Sequence, residues 1–262
     1  MKKLLIVFFS LFLFSFAFSN EKENPLVVGM ELAYPPFETT DANGDPAGFS
    51  VDFAKALGEY LGRPVKIENM AFKGLIPALL SKKVDIVISS MTITEERLKA
   101  VNFSKPYAKA YLTLLVNNKS NINTPEDLNA PGKKIAVKAG TTAHLTATQY
   151  FPKAETLVFD KETAAVLEVS QGKVDAFIYD PLSIYRNWKN YRDTTKPIFT
   201  QFQKEVEGWG VAYRKQDVEL GKEIDAFIDK FRAEGGFNRL VEKHLAEEKK
   251  VFDQQGIPFF IQ

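Results

Sequence analysis

The sequence predicts an α/β protein of two lobes, in which each lobe is a sheet with helices on its faces. Short apolar runs recur without a strict polar alternation, which is typical of strands buried on both faces. Segments with apolar residues at helical spacing separate these runs, and the alternation occurs twice, once on each side of residues 111–116. Roughly 240 residues follow a predicted leader, a length that suits two ordinary domains.

The amino terminus has the pattern of a secretory signal peptide, residues 1–19. Lys2 and Lys3 precede an apolar run, 4–18, and cleavage is expected after Ser19 in a small-residue stretch. The run is short for a membrane span. The chain has no cysteine, so we expect no disulfide, no thiolate chemistry and no lipid anchor. These features predict a free protein of the periplasm.

The overall charge excludes one class of function. The formal net charge of +1 becomes −1 when Lys2 and Lys3 are removed with the leader. A protein that grips a phosphate backbone needs a cationic surface, so nothing here favours nucleic acid. The hydrophobic content of 45% is sufficient for a buried core.

The first alternation begins with an apolar strand and ends with another. Glu31 to Phe37 forms a loop behind the first strand, and two prolines hold it extended. The predicted strands are 26–30, 65–68 and 84–88, and the predicted helices are 49–61 and 74–82.

The second alternation starts after an extended run at 111–116. Thr124 and Pro125 begin a helical turn. The predicted strands are 134–138, 156–159 and 174–179, and the predicted helices are 141–150, 162–170 and 181–188. The stretch 208–215 and helices at 217–231 and 236–245 remain beyond the second unit. We assign no structure to 254–262.

The stretch after the strand 84–88 carries a candidate binding group. Thr94 can cap a short helix, with Glu95 and Glu96 in its first turn. Arg97 then lies near the carboxyl end of the strand, where ligands bind in open α/β sheets. Its planar guanidinium is suited to a carboxylate, although a pair with a surface glutamate is the alternative.

Two further candidates stand at strand ends in the second half. Thr141 and Thr142 follow Gly140 between a strand and a helix, where free N–H groups favour an anion. A simple helix cap is an equal alternative. Asp180 follows the strand 174–179 and precedes a proline, so it is either a helix cap or a carboxylate at the cleft.

Three motifs carry a resemblance to a known family. They are Phe72-Lys73-Gly74-Leu75-Ile76-Pro77-Ala78-Leu79, Ser89-Ser90-Met91-Thr92-Ile93-Thr94-Glu95-Glu96-Arg97 and Phe103-Ser104-Lys105-Pro106-Tyr107. The chain resembles the solute-binding proteins of polar amino-acid ABC importers over most of its mature length. The resemblance implies the two-lobed periplasmic binding protein type II fold with a two-strand hinge near Tyr111 and Thr200. It divides the chain into lobe 1 (24–111), lobe 2 (112–202), a return to lobe 1 (203–249) and a tail (250–262).

The resemblance also implies how the backbone of an amino acid is held. Arg97, with the backbone N–H groups of Thr92 and Thr142, would bind the α-carboxylate. Asp180 would receive the α-ammonium, together with the Thr92 hydroxyl and the Ser90 carbonyl. The ligand would therefore be gripped from both lobes.

By the same resemblance, other residues surround the ligand's side chain. Tyr34 and Phe72 would cover its stem and exclude water, although core packing is the alternative for Phe72. The residues expected to determine which amino acid fits are Glu31, Ser89, Lys138 and Tyr179, beside the turn that holds Thr141. Glu31 or Lys138 could instead be a solvated residue at the rim.

The charge of the predicted site favours an uncharged ligand side chain. Arg97 and Lys138 balance Glu31 and Asp180, and a zwitterion adds no net charge. An uncompensated charge in a dry cleft is unfavourable, so glutamine is the first expectation. If Glu31 faces the ligand unpaired, arginine or lysine is favoured, and if Lys138 does, glutamate or aspartate is favoured.

These observations predict a monomeric receptor that passes a free L-amino acid to an ABC permease in the inner membrane. No cofactor or metal is expected, because the sequence has no metal, nucleophile or phosphate motif. His144 and His244 fall on predicted helices and are expected at the surface. Two alternatives remain. One is an enzyme resembling cyclohexadienyl dehydratases with Glu31 as the acid, and the other is a chemotaxis sensor.

Overall fold

A computed structural model describes residues 24–204 and 207–261, so the predicted signal peptide lies outside the described residues. The strands are β1 (Leu26–Met30), β2 (Thr39–Thr40), β3 (Pro46–Ala47), β4 (Val65–Asn69), β5 (Ile86–Val87), β6 (Asn102–Phe103), β7 (Ala108–Ala110), β8 (Thr113–Asn117), β9 (Lys134–Lys138), β10 (Glu155–Phe159), β11 (Ala176–Tyr179), β12 (Thr195–Ile198), β13 (Glu207–Trp209) and β14 (Ala212–Tyr213). The helices are α1 (Phe49–Tyr60), α2 (Leu75–Leu80), α3 (Glu95–Ala100), α4 (Thr142–Tyr150), α5 (Glu162–Ser170), α6 (Pro181–Asn190), α7 (Val218–Ala233), α8 (Gly236–His244) and α9 (Ala246–Gln255). In the described part of the chain, no helix is long and apolar enough to span a membrane.

Two five-stranded sheets form the framework, which confirms the predicted α/β fold class. The first has the order β4-β1-β5-β14-β6, with β1 parallel to both β4 and β5. The second has the order β10-β9-β11-β8-β12, with β9 parallel to both β10 and β11. Both sheets therefore present the carboxyl ends of parallel strands, which is where α/β folds bind ligands.

The chain returns to the first sheet after completing the second. Strand β14 lies between β5 and β6 and is antiparallel to both, so residues distant in sequence complete the first sheet. Just before it, β13 pairs with β7. The lobe boundaries given above stay a prediction, although these pairings are the ones that a return segment would make.

An aromatic cluster packs α1 together with α7 and α8. Phe53 of α1 packs against Phe227 of α7 and Phe237 of α8, with ring centroids 5.5 and 5.4 Å apart. Buried aromatic side chains contribute large apolar areas, and the offset geometry adds to their attraction. The return segment is therefore anchored in the same core as α1.

The closing segment, to which the sequence assigned no structure, packs on the rest of the protein. Gly256 ends α9 in a left-handed conformation, as glycine often does at a helix end. The Lys109 N–H then donates to the Phe260 carbonyl at 2.7 Å, and the Tyr111 hydroxyl donates to the Pro258 carbonyl at 3.2 Å. Phe252 is fully buried, and its ring centroid lies 6.2 Å from that of Tyr185 on α6. The tail thus contacts Lys109 and Tyr111, which lie where the chain passes from the first sheet to the second, and it also contacts α6.

Candidate functional site

A cavity lies between the two sheets. Most of its wall comes from the carboxyl ends of β1, β4 and β5 on one side and of β9 and β11 on the other, and the rest comes from the segments that connect the two sheets. The lining residues are Glu31, Tyr34, Glu38, Phe72, Ser89, Ser90, Tyr111, Leu112, Thr141, Thr142, Ala143, Tyr179, Asp180, Gln203, Glu207 and Trp209.

Most of the residues singled out from the sequence meet at this cavity. Arg97, Thr92 and Lys138 are buried beside it rather than in its wall. These residues come from the carboxyl ends of five strands, β1, β4 and β5 in the first sheet and β9 and β11 in the second.

Glu31 and Lys138 form an ion pair across the cleft. The Lys138 ammonium contacts Glu31 Oε2, and the side chain of Lys138 is only 3% exposed. The Glu31 N–H donates to Ser89 Oγ at 3.0 Å, which fixes the start of the loop behind β1. Each charge is compensated by the other, as a buried charge must be. Neither is a solvated rim residue.

Tyr34 and Asp180 form a second contact across the cleft. The Tyr34 hydroxyl donates to Asp180 Oδ2 at 2.6 Å. Asp180 Oδ1 accepts from the N–H groups of Leu182 and Ser183 at 2.9 and 3.0 Å, so the carboxyl also caps α6. Burial raises the pKa of Asp180, whereas its hydrogen bonds lower it. The Asp180 carboxyl therefore caps α6 and also lies at the cleft, so the two alternatives considered for it are compatible.

Arg97 is held near the opposite end of the site. Thr94 caps α3 by accepting from the Arg97 N–H at 3.2 Å, as the sequence predicts. The guanidinium donates to the Thr92 carbonyl at 2.6 Å and to the Gly140 carbonyl at 2.9 Å, and lies 5.6 Å from the centroid of the Phe72 ring. Burial lowers the pKa of Arg97 to about 10, so it stays cationic at neutral pH. Within the described residues it forms no ion pair with a surface glutamate.

The turn before α4 brings the two halves together. Gly140 has a φ of +76°, and a Cβ there would lie 3.1 Å from the Cα of Lys73. Thr141 caps α4 by accepting from the His144 N–H at 3.4 Å, and it donates to the Lys138 carbonyl at 2.8 Å. The cap predicted for Thr141 is therefore present, and the N-terminus of α4 lies at the cavity wall.

Sequence reasoning missed the buried acid Glu38. Ser90 has a φ of +47°, in the left-handed region that is uncommon for residues other than glycine. Its hydroxyl donates to Glu38 Oε1 at 2.9 Å. Glu38 is fully buried, and burial raises its pKa to about 8. Its position directly after the loop 31–37 was the available signal, because that loop had already been placed at a strand end.

Six other lining residues were also missed: Tyr111, Leu112, Ala143, Gln203, Glu207 and Trp209. Ala143 lies on α4, and the others lie between β7 and β8, after β12 or on β13, in segments whose partners are distant in sequence. Gln203 Oε1 accepts from the Leu112 N–H at 2.6 Å. Burial raises the pKa of Glu207, and the nearby charge of Arg97 opposes that rise.

The two histidines have structural partners. His144 Nδ1 accepts from the Gly140 N–H at 3.1 Å, and His244 Nε2 lies 2.7 Å from Asp52 Oδ2. Neither lines the cavity. Among residues 24–204 and 207–261, no three histidine, cysteine or acidic side chains form a group that could hold a metal ion.

The fold and the cavity define a two-lobed α/β protein with a polar, aromatic-walled site between its lobes. The sequence model of the bacterial extracellular solute-binding proteins, family 3, matches residues 26–247. The chain belongs to this family, which confirms the resemblance found in the sequence motifs.

Individual relatives span most of the chain. The L-arginine-binding protein of Pseudomonas aeruginosa is 33% identical and covers 86% of this chain and 89% of its own length. The structure of an ancestral arginine-binding protein bound to glutamine is 36% identical, with a TM-score of 0.76, covering 84% and 97%. That of the ancestral amino acid-binding protein AncCDT-1, a precursor of cyclohexadienyl dehydratase, is 37% identical, with a TM-score of 0.74, covering 84% and 94%.

Proposed function

We propose that this protein captures a free L-amino acid in the periplasm and delivers it to an ABC permease in the inner membrane. The ligand class proposed is an uncharged polar amino acid, with glutamine first. The observation that carries this choice is the buried ion pair between Glu31 and Lys138. Because these two charges satisfy each other, the side-chain end of the site has no free charge of theirs to pair with a ligand.

The main-chain groups of the ligand would be held by the two ends of the cleft. Arg97 supplies a permanent positive charge for the α-carboxylate, with the N-terminus of α4 nearby. Asp180 supplies a carboxylate for the α-ammonium, with Tyr34 already bonded to it. Because the two groups lie in different halves, a zwitterion satisfies both only when the lobes are closed, and closure follows from that difference in affinity.

The test is a binding screen of the mature protein against the common amino acids. A ligand that binds only the folded state raises the melting temperature by mass action. We expect L-glutamine to give the largest shift, followed by a dissociation constant near micromolar, about −8 kcal/mol, by calorimetry. D-glutamine is the control, because it inverts the arrangement of ammonium, carboxylate and side chain. No shift with any amino acid would contradict the proposal.

A cationic amino acid is the second candidate, and the cavity wall itself favours it. Four carboxyl groups line the cavity, those of Glu31, Glu38, Asp180 and Glu207, and none of the lining residues is lysine or arginine. Glu207 was absent from the charge count made on the sequence, and it adds a negative charge. The printed name of the Pseudomonas relative also specifies arginine. A larger melting shift with L-arginine than with L-glutamine would favour this candidate.

We further propose that the protein has no dehydratase activity. The carboxyl of Glu31, the candidate acid, is already engaged by the Lys138 ammonium, so it is not positioned to reach a leaving hydroxyl. Incubation of the purified protein with prephenate or arogenate should yield no aromatic product. A rate of product formation above that of a heat-inactivated sample would contradict this expectation.

The remaining proposals concern assembly and role. We propose a monomer, tested by light scattering of the purified mature protein. Transport is preferred to chemosensing because some relatives carry an ABC transporter in their printed names, and deletion of the gene distinguishes the two. Loss of amino-acid uptake supports transport, whereas loss of a chemotactic response with normal uptake contradicts it.

A further inference from the structure

Glu38 occupies an unusual position for an acidic side chain. It is fully buried and lines the cavity. Oε1 accepts a hydrogen bond from the Ser90 hydroxyl, and within the described residues Oε2 has no hydrogen-bond partner. The hydroxyl of Ser50 on α1 lies beside it and lowers its pKa, although within the described residues this hydroxyl and Oε2 do not form a well-aligned hydrogen bond. A buried carboxylate with this little support is unfavourable, so the geometry favours the neutral acid in the unliganded protein.

The charged neighbours of Glu38 act on its pKa in opposite directions. Glu31 behind β1 raises its pKa, and Lys138 of β9 lowers it. The hydroxyls of Tyr107 and Tyr179 are the other titratable groups nearby, and both are neutral, because burial raises their pKa values well above the usual range. A positive charge that arrived at the cavity would therefore act on a carboxyl whose neighbouring cation, Lys138, is already paired with Glu31.

We propose that Glu38 releases a proton when an amino acid binds. The ligand's ammonium enters beside Ser90, the Glu38 carboxyl loses its proton to the buffer, and the resulting carboxylate faces the bound positive charge. The O–H bond of Glu38 breaks, the electron pair stays on the carboxylate, and no other bond changes. This inference rests on the proposed amino-acid binding.

Ser90 is the physical link between the proton and the ligand. Its hydroxyl bonds the Glu38 carboxyl, and its carbonyl is the group expected to receive the α-ammonium. The left-handed conformation of Ser90 sets the directions of both groups at once. Only Ser90 would separate an ammonium bound at this carbonyl from the Glu38 carboxyl. An opposite charge close to a carboxyl favours its ionisation.

The expected consequence is a pH-dependent affinity with a definite sign. Because binding releases a proton, affinity should rise with pH while the free protein carries a protonated Glu38, and level off above about pH 8. The steepest dependence that one group can produce is about tenfold per pH unit.

Calorimetry in two buffers tests the proposal. L-Glutamine and L-arginine are titrated into the mature protein at pH 7 in phosphate and in Tris, whose heats of ionisation differ. The expected result for whichever amino acid binds is a release of about 0.9 proton per ligand at most, since the pKa of about 8 leaves Glu38 about nine-tenths protonated at pH 7. Glu38→Gln should still bind, but with no release and a flat pH profile.

Glu162→Gln is the matched control. Glu162 is a second carboxyl whose pKa is raised to about 7, first by burial and also by the charge of Asp180; its hydrogen-bond partner is Asn187, and it does not line the cavity. Because an ammonium bound at Asp180 could also act on Glu162, this variant removes any proton that Glu162 itself would release. Glu162→Gln should still release the proton of Glu38 when the ligand binds. Binding heats that are the same in both buffers for the wild-type protein, or a release that persists in Glu38→Gln, would overturn the proposal. Absence of binding by any amino acid would instead overturn the proposed function on which it rests.

Discussion

The Arg97 guanidinium donates to the Gly140 carbonyl at 2.9 Å, and this hydrogen bond joins α3 of the first half to the turn before α4 in the second. The same side chain is the one expected to hold the ligand's carboxylate. A single residue therefore takes part in both the closed arrangement and the proposed binding.

Arg97→Ala should weaken amino-acid binding by at least about 100-fold. The variant loses charge-assisted hydrogen bonds, each of which contributes about 1.5–3 kcal/mol. Calorimetry measures the loss, and circular dichroism should show an unchanged fold. Lys99→Ala, on the exposed side of α3, is the control and should bind normally. Wild-type affinity in Arg97→Ala would remove this residue from the site.

Asp180→Asn separates helix capping from ligand binding. Asparagine is as good a cap as aspartate, so the stability of α6 should change by less than about 0.5 kcal/mol. The negative charge is lost, however, and binding should weaken by about 100-fold. Asp180→Ala should weaken binding similarly and also reduce the free energy of unfolding by about 1 kcal/mol. An asparagine variant with normal affinity would leave Asp180 with the capping role alone.

Gly140→Ala should weaken ligand affinity through the contact between the halves. A methyl group at this position would lie 3.1 Å from the Cα of Lys73, which favours a more open arrangement. Gly132 is the matched control, because it also has a positive φ, +82°, but a Cβ there meets nothing within 4 Å. Both variants should lose about 1 kcal/mol of stability, and only Gly140→Ala should lose affinity. Equal affinities would show that this approach does not limit closure.

Removing Glu31 and removing Lys138 from their ion pair should change the ligand preference in opposite directions. Glu31→Gln leaves a buried cation and should favour L-glutamate, whereas Lys138→Met leaves a buried anion and should favour L-arginine. Removing one partner of a buried pair also costs about 3–5 kcal/mol of stability. The melting-shift screen measures both effects. If neither variant changes its preference, the pair does not contact the ligand's side chain.

Stability should fall as pH rises from about 4.5 to 7, and Glu162 should contribute to the fall. Its pKa is raised to about 7 in the folded protein, so over this interval the folded state binds more protons than the unfolded state. Glu162→Gln removes that proton, and the slope of unfolding free energy against pH should become shallower. Urea unfolding at pH 5 and pH 7.5 measures it. An unchanged slope would mean that Glu162 titrates normally.

The pattern of the fold was accessible from the sequence because it depends on local periodicity. The alternation of strands and helices, the Thr94 cap and the position of Arg97 at a strand end all follow from residues that are neighbours in the chain. The extent of β5 did not, since only Ile86 and Val87 find ladder partners on β1 and β14. Val84 and Ile88 are buried, as predicted, without pairing as strand residues.

The partners of the site residues were the less predictable part. Glu31 and Lys138 are 107 residues apart, and their pairing was only one of the alternatives that the charge pattern allowed. The bond between Arg97 and the Gly140 carbonyl, and the burial of Glu38, depend on how the two sheets approach each other. The closing segment had no periodic pattern, because it is held by two hydrogen bonds to its carbonyl groups and by the packing of single aromatic side chains.

Trp209 gives the molecule an optical signal of its own. Its indole forms part of the cavity wall and packs against Phe37 and against Phe260 of the tail. The other of the two tryptophans, Trp188, lies on α6 and not in that wall. The emission of one fluorophore therefore senses occupancy while the other serves as an internal reference, so ligand titrations can be followed without any label.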